Sequence, residues 1–416
     1  MVASVEVPAL EVRISLQDAE PEIWRQLVLP QTATLAEVHE AIQLAFGWKN
    51  THLYVFYGTG PDGKRRVITV LDDESPVGAE SSAEVGLLEL FDPSLPGRSP
   101  FEYEYDFGDS WTHEIDVVGP AELDGMTVRC TDGAMRGPIE DSGGVFGYAN
   151  VVRVVGDQRH PEHREALDWL ELVTQERASA FDPTTFDLHA VNEDLRRLSR
   201  RLWPSEVTEA DRVTALAPIL WFLSEAEPDG LPLTSAGHLK PAFVKHAMTA
   251  LNWDDGWVST GRVEVSTAPI RNLREQLQEW KLLRKYKDKL LLTPAARQLV
   301  GDPAGLWDYV VARLATPDND AAAVLLPLIV HWELTGNEPP YGLMDQVIEA
   351  ALHHAGLRIM GDAPPCWAGH LYHEVSRGLH RIELWERPSW DRVSERLSDV
   401  GIKFLLDLQT RLGAGR

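Results

Sequence analysis

The chain has 416 residues, of which 44% are hydrophobic and 25% are charged, and it carries a formal net charge of -25. This length is too great for a single hydrophobic core and predicts two or three domains, while the composition excludes a largely disordered protein. The negative charge disfavours non-specific binding to nucleic acid and to anionic membranes, although it leaves room for a local basic patch.

The cysteine content and the lack of long apolar runs indicate where the protein works. The two cysteines, Cys130 and Cys366, are far apart in sequence, which excludes a disulfide framework and a four-cysteine zinc site and favours a reducing compartment. The N-terminus shows no basic start followed by an apolar run, and no stretch reaches about 18 consecutive apolar residues. We therefore expect a cytoplasmic protein with no membrane partner.

The first half of the chain is predicted to be an α+β domain. Residues 10–16 alternate apolar and polar side chains like a half-buried strand, and residues 23–29 are the expected partner. Thr34, with Glu37 three residues later, forms a capping box that opens an amphipathic helix ending at Gly47. Strands grouped after one helix favour a mixed or antiparallel sheet with packed helices over a doubly wound sheet. Further strands are predicted at 53–57, 66–71, 101–107 and 111–118, with a turn at 61–63, and helices at 149–155, 161–173 and 188–202.

The second half is predicted to be mainly α-helical. Two helices followed by two short strands around residues 287–289 are typical of a winged-helix-like unit. Proline residues mark the expected boundaries between domains. The predicted domains are an α+β domain at 1–203, a winged-helix-like helical domain at 204–316 and a C-terminal helical region at 317–416. The predicted helices lie at 209–226, 240–251, 268–280, 321–334, 342–355 and 389–412.

A series of short motifs runs along the first 200 residues. They are PEIWR at 21–25, His39, Ile42-Gln43, FGW at 46–48, His52-Leu53, residues 103–111, His113, Glu140-Asp141, Gly143-Gly144, Gly147-Tyr148, HPEH at 160–163 and FDP at 181–183. In these motifs the N-terminal half resembles the plasmid pRiA4b ORF-3-like family, also met as a TnpR-like passenger protein of an insertion sequence. The resemblance implies a roll-like α+β domain of bacterial or archaeal origin, often linked to mobile elements and without an established activity.

The resemblance also bears on metal binding. Family members commonly carry extra cysteines in the loop before the Gly-Gly pair, where this chain has Gly137 and Ser142. Only Cys130 is present in this half. A thiolate metal site of the kind those cysteines would form is therefore not expected here.

The residues around Gly108 have two interpretations. In the structural one, Gly108 adopts a positive φ, Asp109 caps backbone amides, and Phe107 and Trp111 pack on the sheet. In the other, histidines and carboxylates form a metal site of imidazole and oxygen ligands, as in a metal-dependent hydrolase or nuclease. We favour the structural interpretation and expect no metal and no cofactor, with Trp48 the most exposed aromatic residue. The candidate pocket residues are His39, Trp48, His52, Tyr105, Asp106, Asp109, Trp111, His113, Glu140 and Asp141.

Two other groups of histidines are expected to be structural. His39 lies at the edge of the apolar face of the first predicted helix, where a hydrogen bond that caps the core is favoured over metal binding. Cys366, His370, His373 and His380 are close in sequence, and a helix would place His373 and His380 on one face. Their spacing matches no established zinc pattern, so we expect surface or core roles.

The second half contains a dense basic cluster at the predicted winged-helix-like unit. Such a cluster is a candidate contact for a nucleic-acid backbone, although nearby acids favour a solvated, partly paired surface as the alternative. The candidate nucleic-acid-binding residues are Arg271, Arg274, Lys281, Arg284, Lys285, Lys287 and Lys289, and Arg297 lies beside them.

The sequence therefore favours a non-enzymatic binding or regulatory protein associated with mobile genetic elements, with DNA as one candidate partner. The alternatives are a metal-dependent hydrolase or nuclease in the N-terminal domain and a module for protein–protein association. These hypotheses differ in whether the histidines and carboxylates of the first half converge in space.

Overall fold

The structure, a computed structural model, describes residues 6–59, 64–72, 75–90, 101–174, 177–253, 263–317, 319–339, 342–358, 367–386 and 396–414. The chain divides into two compact units, Met1–Trp203 and Pro204–Arg416. The first contains a large sheet with helices and the second is mostly helical, which confirms the predicted α+β class. Within the ranges given, none of the helices combines the length and the apolar character needed to cross a membrane.

An eight-stranded sheet forms the centre of the N-terminal unit, counted over its described residues. Its strands are β1 Glu6–Leu16, β2 Trp24–Pro30, β3 Tyr54–Thr59, β4 Arg65–Thr69, β5 Glu80–Ser81, β6 Phe101–Tyr105, β7 Trp111–Asp124 and β8 Arg129–Ala134. The order across the sheet is β5-β4-β3-β6-β7-β1-β2-β8. All neighbouring pairs are antiparallel except β4 with β5, so the sheet is mixed. The turn predicted at 61–63 lies outside the described residues.

The strand β1 shows why the sequence pattern specifies a strand. Leu10, Val12 and Ile14 are buried, whereas the residues between them are partly exposed. This two-residue period is that of a strand with one face on the hydrophobic core. Its predicted partner, β2, pairs with it in antiparallel register from Ala9 opposite Pro30 onwards.

The helices of the N-terminal unit include the one that the capping box predicted. Thr34 Oγ1 accepts a hydrogen bond from Glu37 N, and Glu37 Oε2 accepts one from Thr34 N at 2.7 Å. The helix ends at Gly47, whose φ of 78° lets it accept the left-handed C-cap position. The helices are α1 Leu35–Phe46, α2 Leu87–Leu90, α3 Gly144–Gly156, α4 His163–Thr174 and α5 Leu188–Leu202.

The last of these helices, α5, lies along β8 at one edge of the sheet. Asn192 accepts a hydrogen bond from Cys130 N through Oδ1 and donates one to Cys130 O through Nδ2, both at 2.9 Å. Ser199 Oγ accepts a hydrogen bond from Val128 N at 2.9 Å. Side chains of a helix thus satisfy backbone groups that a further strand would otherwise pair.

The C-terminal unit combines helices with two small antiparallel sheets over its described residues. Its strands are β9 Leu231–Pro232, β10 Leu283–Tyr286, β11 Lys289–Leu292, β12 Trp385–Glu386 and β13 Arg396–Leu397. The helices are α6 Glu209–Glu225, α7 Pro241–Ala250, α8 Ala268–Glu279, α9 Pro294–Leu299, α10 Pro303–Leu314, α11 Asp320–Thr335, α12 Met344–His354, α13 Trp367–Ser376 and α14 Asp399–Ala414. The strands β10, β11 and β9 form a three-stranded sheet in that order, in which β9 follows α6 along the chain and the β10–β11 hairpin follows α7 and α8.

One hydrophobic core extends across position 317 of the C-terminal unit. Trp307 on α10 packs against Phe404 on α14, with ring centroids 4.8 Å apart, and Trp307 Nε1 donates a hydrogen bond to Asp407 at 2.8 Å. Buried residues of α6, α8 and α11 belong to the same core. Residues on the two sides of position 317 therefore share a core.

Two sequence expectations for the C-terminal unit are wrong. The helix predicted from residue 389 begins at Asp399, because Arg396–Leu397 instead pair with Trp385–Glu386 as strands. The helix α13 ends at Ser376, so His380 does not share a helical face with His373 and lies in a short 3-10 turn. Cys366 of the same predicted group lies outside the described residues.

Candidate functional site

Three loops of the N-terminal unit meet at the candidate pocket. One follows α1, one connects β6 to β7, and one precedes α3. Each contains a non-glycine residue with a left-handed backbone, namely Asn50 at φ 55°, Asp106 at φ 58° and Asp141 at φ 57°. Asn and Asp tolerate this region better than other side chains do, because their short polar groups bond locally.

The contact between the second and third loops depends on glycine. A Cβ on Gly144, whose φ is 69°, would lie 2.5 Å from the carbonyl oxygen of Asp109. At the same contact, Asp109 Oδ2 accepts a hydrogen bond from Gly143 N at 3.0 Å. The paired glycines thus let α3 begin directly against the β6–β7 turn, which brings Asp141 close to Asp106.

A similar close approach fixes the loop between β8 and α3, which contains Gly137. A Cβ on Gly137 would lie 1.7 Å from the carbonyl oxygen of Phe46, the last residue of α1. A cysteine therefore does not fit at position 137 of this backbone.

Three of the candidate residues converge into an acid–imidazole cluster, defined as His52, Asp106 and Asp141. The Nε2 atom of His52 lies 3.2 Å from Asp141 Oδ1 and 3.6 Å from Asp106 Oδ2. The Asp141 side chain is exposed, that of His52 is partly exposed, and that of Asp106 is 10% exposed. The Asp106 carboxylate is therefore the buried side of the cluster, and the side chains of His52 and Asp141 form its solvent-exposed side.

Glu140 and Tyr105 support this cluster without joining it. The Tyr105 hydroxyl donates to Glu140 Oε1 at 2.6 Å and accepts hydrogen bonds from Thr51 N at 3.0 Å and His52 N at 3.3 Å. Glu140 Oε1 also accepts one from Lys49 N at 2.8 Å. Burial, together with the neighbouring Glu140 carboxylate, raises the pKa of Tyr105, so its hydroxyl stays protonated and can donate. This network fixes the loop that carries His52.

Two histidines of the candidate set lie in the core instead. His39 is bonded to the Tyr103 hydroxyl and to Asn50 Oδ1, each at 2.8 Å, and its ring stacks on Tyr54. His113 is fully buried, and its Nδ1 lies 3.0 Å from the carbonyl oxygen of Trp111. Burial lowers the pKa of each histidine to about 4, so both rings are neutral at pH 7. Neither belongs to the acid–imidazole cluster.

Three expectations about this region are wrong. Gly108 does not take the positive φ of the turn, which falls on Asp106 and Ser110 instead. Phe107 does not pack on the sheet and is 51% exposed. Trp48 is only 4% exposed, because its ring packs against Trp111 and Tyr105 with centroids 5.1 and 5.4 Å away.

The sequence interpretation assigned no role to Arg25, which is buried beside the pocket. Its guanidinium donates to four backbone carbonyls, those of Ala45, Trp24, Ala134 and Met135, at 2.7 to 2.9 Å. Burial lowers its pKa to about 10, so the group stays charged at pH 7. Arg25 lies at an inward-facing position of the alternating pattern of β2. A charged residue at such a position is the sequence signal that could have revealed this role.

The basic residues of the C-terminal unit separate into two groups. Arg274 forms an ion pair with the buried Glu264, and Lys289 Nζ donates to the carbonyl oxygen of Asp229 at 3.1 Å, so both are engaged within the unit. The exposed group lies on the hairpin of β10 and β11, which we call the basic hairpin. Its exposed members are Arg284, Lys285, Tyr286, Lys287 and one acid, Asp288.

The remaining basic candidates lie beside this hairpin. Lys281 and Arg297 are exposed, whereas Arg271 is half-buried and donates to the carbonyl oxygen of Val265 at 2.9 Å. Within the basic hairpin, the charged groups of Arg284 and Lys287 lie 5.7 and 5.5 Å from the ring centroid of Tyr286. The hairpin thus presents cations around an exposed aromatic ring.

The fold and these sites define an α+β protein of two units, with an acid–imidazole cluster in the first and a basic hairpin in the second. Residues 8–190 match the family model of the plasmid pRiA4b ORF-3-like protein. The uncharacterized protein y4hQ of Sinorhizobium fredii (strain NBRC 101917 / NGR234) is 34% identical over 182 residues, which cover 41% of this chain and 82% of that protein. The chain belongs to the plasmid pRiA4b ORF-3-like family.

Two further similarities accompany this one. Residues 214–305 match the model of the Y4jL N-terminal domain and lie entirely within the C-terminal unit. A crystal structure described as a protein of unknown function, MM3350 from Methanosarcina mazei Go1, is 28% identical and covers 44% of this chain and 96% of that one, with a TM-score of 0.39. The descriptions of these relatives name no ligand and no reaction.

Proposed function

We propose that the protein is a binding or regulatory protein associated with mobile genetic elements, and that its C-terminal unit contacts a nucleic-acid backbone through the basic hairpin. The observation that carries the proposal is a local reversal of charge. Residues 263–297 contain eight basic and four acidic side chains, a net charge of +4 in a chain of net charge -25. A basic surface on an acidic protein is the electrostatic pattern expected of a phosphate contact.

The geometry of the hairpin supports the same proposal. A side chain such as Lys285 is exposed and free of ion pairs with acids among the described residues, so it can approach a phosphate. Tyr286 is 52% exposed between cations, which suits stacking on a base or a sugar. The basic hairpin belongs to the three-stranded sheet and follows the helices α6, α7 and α8 along the chain. We interpret these helices and this sheet as a winged-helix-like unit whose wing is the basic hairpin.

Charge reversal on the hairpin tests this function. We expect Lys285→Glu with Lys287→Glu to weaken binding of a labelled DNA duplex at least about tenfold and to reduce the slope of log K against log salt by about 2, since each lost phosphate contact removes about 0.9. Fluorescence anisotropy at several salt concentrations measures both values for the full-length protein.

The matched control reverses the same number of charges on the N-terminal unit, at the exposed residues Arg159 and Arg164. Binding that is independent of salt, or an equal loss in this control, would contradict the proposal. In that case a protein partner with an acidic surface becomes the better occupant of the basic hairpin.

A metal-dependent hydrolase or nuclease is the second candidate function. The convergence of His52, Asp106 and Asp141 at a solvent-facing position favours it, because such ligands can hold an ion that activates water. The test is hydrolysis of phosphodiester and carboxylic-ester substrates with and without Mn²⁺. We expect any activity of this site to disappear in Asp106→Asn, and activity that persists in this variant would exclude the cluster as its source.

A further inference from the structure

We infer that His52, Asp106 and Asp141 form a binding site for one divalent ion of the first transition row, of the Mn²⁺ or Zn²⁺ class. This inference concerns the N-terminal unit and does not depend on the nucleic-acid proposal. The hydrolase candidate requires the ion, whereas the ion site does not require hydrolysis. An ion that binds without any hydrolysis would keep this inference and remove that candidate.

The separations within the acid–imidazole cluster are close to those of ligands that share an ion. The three ligand atoms lie within 4.8 Å of one another, with His52 Nε2 at 3.2 and 3.6 Å from the two carboxylate oxygens. Two ligand atoms that are each about 2.1 Å from an ion, at an octahedral or tetrahedral angle, are about 3.0 to 3.4 Å apart. The two distances from His52 Nε2 lie within this range or a few tenths of an ångström above it.

The hydrogen bonding of the cluster is suited to a cation. His52 Nε2 is inaccessible to solvent and makes no hydrogen bond, although two carboxylate oxygens face it. Asp106 is only 7% exposed as a whole residue, and the one hydrogen bond of its side chain among the described residues, from Gly108 N, goes to Oδ1. Its Oδ2 atom, which faces His52, therefore has no donor. The buried imidazole nitrogen of His52 is the atom whose lack of a partner is costly, and a cation between it and the two carboxylate oxygens would bind all three atoms.

Apart from a protonated His52, no protein cation pairs with these carboxylates within the described residues. Neither Asp106 nor Asp141 forms an ion pair there with a lysine or an arginine. The two carboxylates together match the charge of a divalent ion. The site is thus both sterically and electrostatically suited to one.

The ligand types decide the class of ion. Mg²⁺ and Ca²⁺ are bound mainly by oxygen atoms, whereas an imidazole beside carboxylates suits Mn²⁺, Fe²⁺ or Zn²⁺. The Asp141 side chain is 67% exposed, so solvent reaches the cluster from that side. We therefore expect three protein ligands with water completing the coordination shell.

Isothermal titration of the full-length protein tests the site, after purification without a metal-affinity column and removal of metals with a chelator. We expect wild-type protein to bind one Mn²⁺ or Zn²⁺ that His52→Ala and Asp106→Asn weaken at least about tenfold. Asparagine retains the tolerance for the positive φ of residue 106, so this variant removes the charge while preserving the backbone.

The matched control is Asp116→Asn, which removes an exposed carboxylate of the same unit outside the cluster and is expected to bind the ion as wild type does. Circular dichroism of every variant in chelator checks that the fold is intact. Absence of binding at millimolar Mn²⁺ and Zn²⁺ by folded wild-type protein, equal affinity in Asp106→Asn, or an equal preference for Mg²⁺ would overturn the inference.

Discussion

At the scale of single residues, the N-terminal core contains two histidines that burial keeps neutral. His39 has hydrogen-bond partners on both ring nitrogens, whereas the buried Nε2 atom of His113 has none. The pKa of each is lowered to about 4 by desolvation, against about 6.5 in an unfolded chain. Protonation of either ring in the folded state would place a charge in an aromatic core.

This difference predicts a pH dependence of stability. Between about pH 6.5 and pH 4 the unfolded chain binds protons at these histidines and the folded chain does not, so the free energy of unfolding falls as the pH is lowered through this range. The full contribution is present above about pH 6.5, and its loss is on the order of 3 kcal/mol for each histidine. Urea unfolding at pH 7.5, 6 and 5 measures it.

A substitution can assign this pH dependence. His113 is surrounded by the rings of Phe46, Trp48 and Tyr103, so a phenylalanine ring can replace the imidazole among them. We expect His113→Phe to reduce the slope of the free energy of unfolding against pH. The exposed His189 serves as the control, since His189→Gln should leave the slope unchanged. An unaltered slope in His113→Phe would show that this residue is not the source.

The sequence predicted the residue types at the pocket better than their positions in space. Glu140 and Asp141 are adjacent acids, yet Glu140 turns inward to Tyr105 and Asp141 turns outward to His52. The left-handed backbone of Asp141 separates them, and single-sequence patterns carry no signal for that conformation. Trp48 was misassigned for a related reason, because its burial depends on strands distant in sequence.

At the scale of elements, close backbone approach decides how α3 meets the β6–β7 turn. We expect Gly144→Ala to destabilise the protein by about 2 to 4 kcal/mol, since the new methyl group adds a clash with Asp109 to the cost of a positive φ. Gly125 also has a positive φ but has no heavy atom near its Cβ position, so Gly125→Ala should cost only about 1 to 2 kcal/mol. Chemical denaturation compares the two, and equal costs would mean that the clash is relieved.

Local signals explain which elements the sequence could predict. The capping box and the C-terminal glycine of α1 are side-chain and backbone devices that act within a few residues, and the helix appears at the predicted bounds. The helix α10 is absent from the predicted elements because a proline usually marks the end of a helix, whereas Pro303 occupies the first turn of α10 after the Asp302 cap. The strand β8 was missed because only Cys130 is buried in it, so it lacks an apolar alternation.

At the scale of the whole molecule, each compact unit has its own hydrophobic core. We expect residues 1–203 and 204–416 to fold when they are expressed separately, each with a cooperative unfolding transition. Residues 204–316 alone should not fold, because they lose the contacts of Trp307 with Phe404 and Asp407. Circular dichroism and urea unfolding test these fragments, and a stably folded 204–316 fragment would show that the shared core is dispensable.

The way α5 lies on the sheet has a consequence beyond the folding of one molecule. An open sheet margin is a template on which neighbouring copies can stack strand upon strand into fibrils. By bonding the backbone of Cys130 in β8 with Asn192 and that of the preceding Val128 with Ser199, the fold closes part of this margin with groups that cannot propagate a ladder. The helix α5, from a later part of the chain, thus opposes the addition of strands from other copies at this edge.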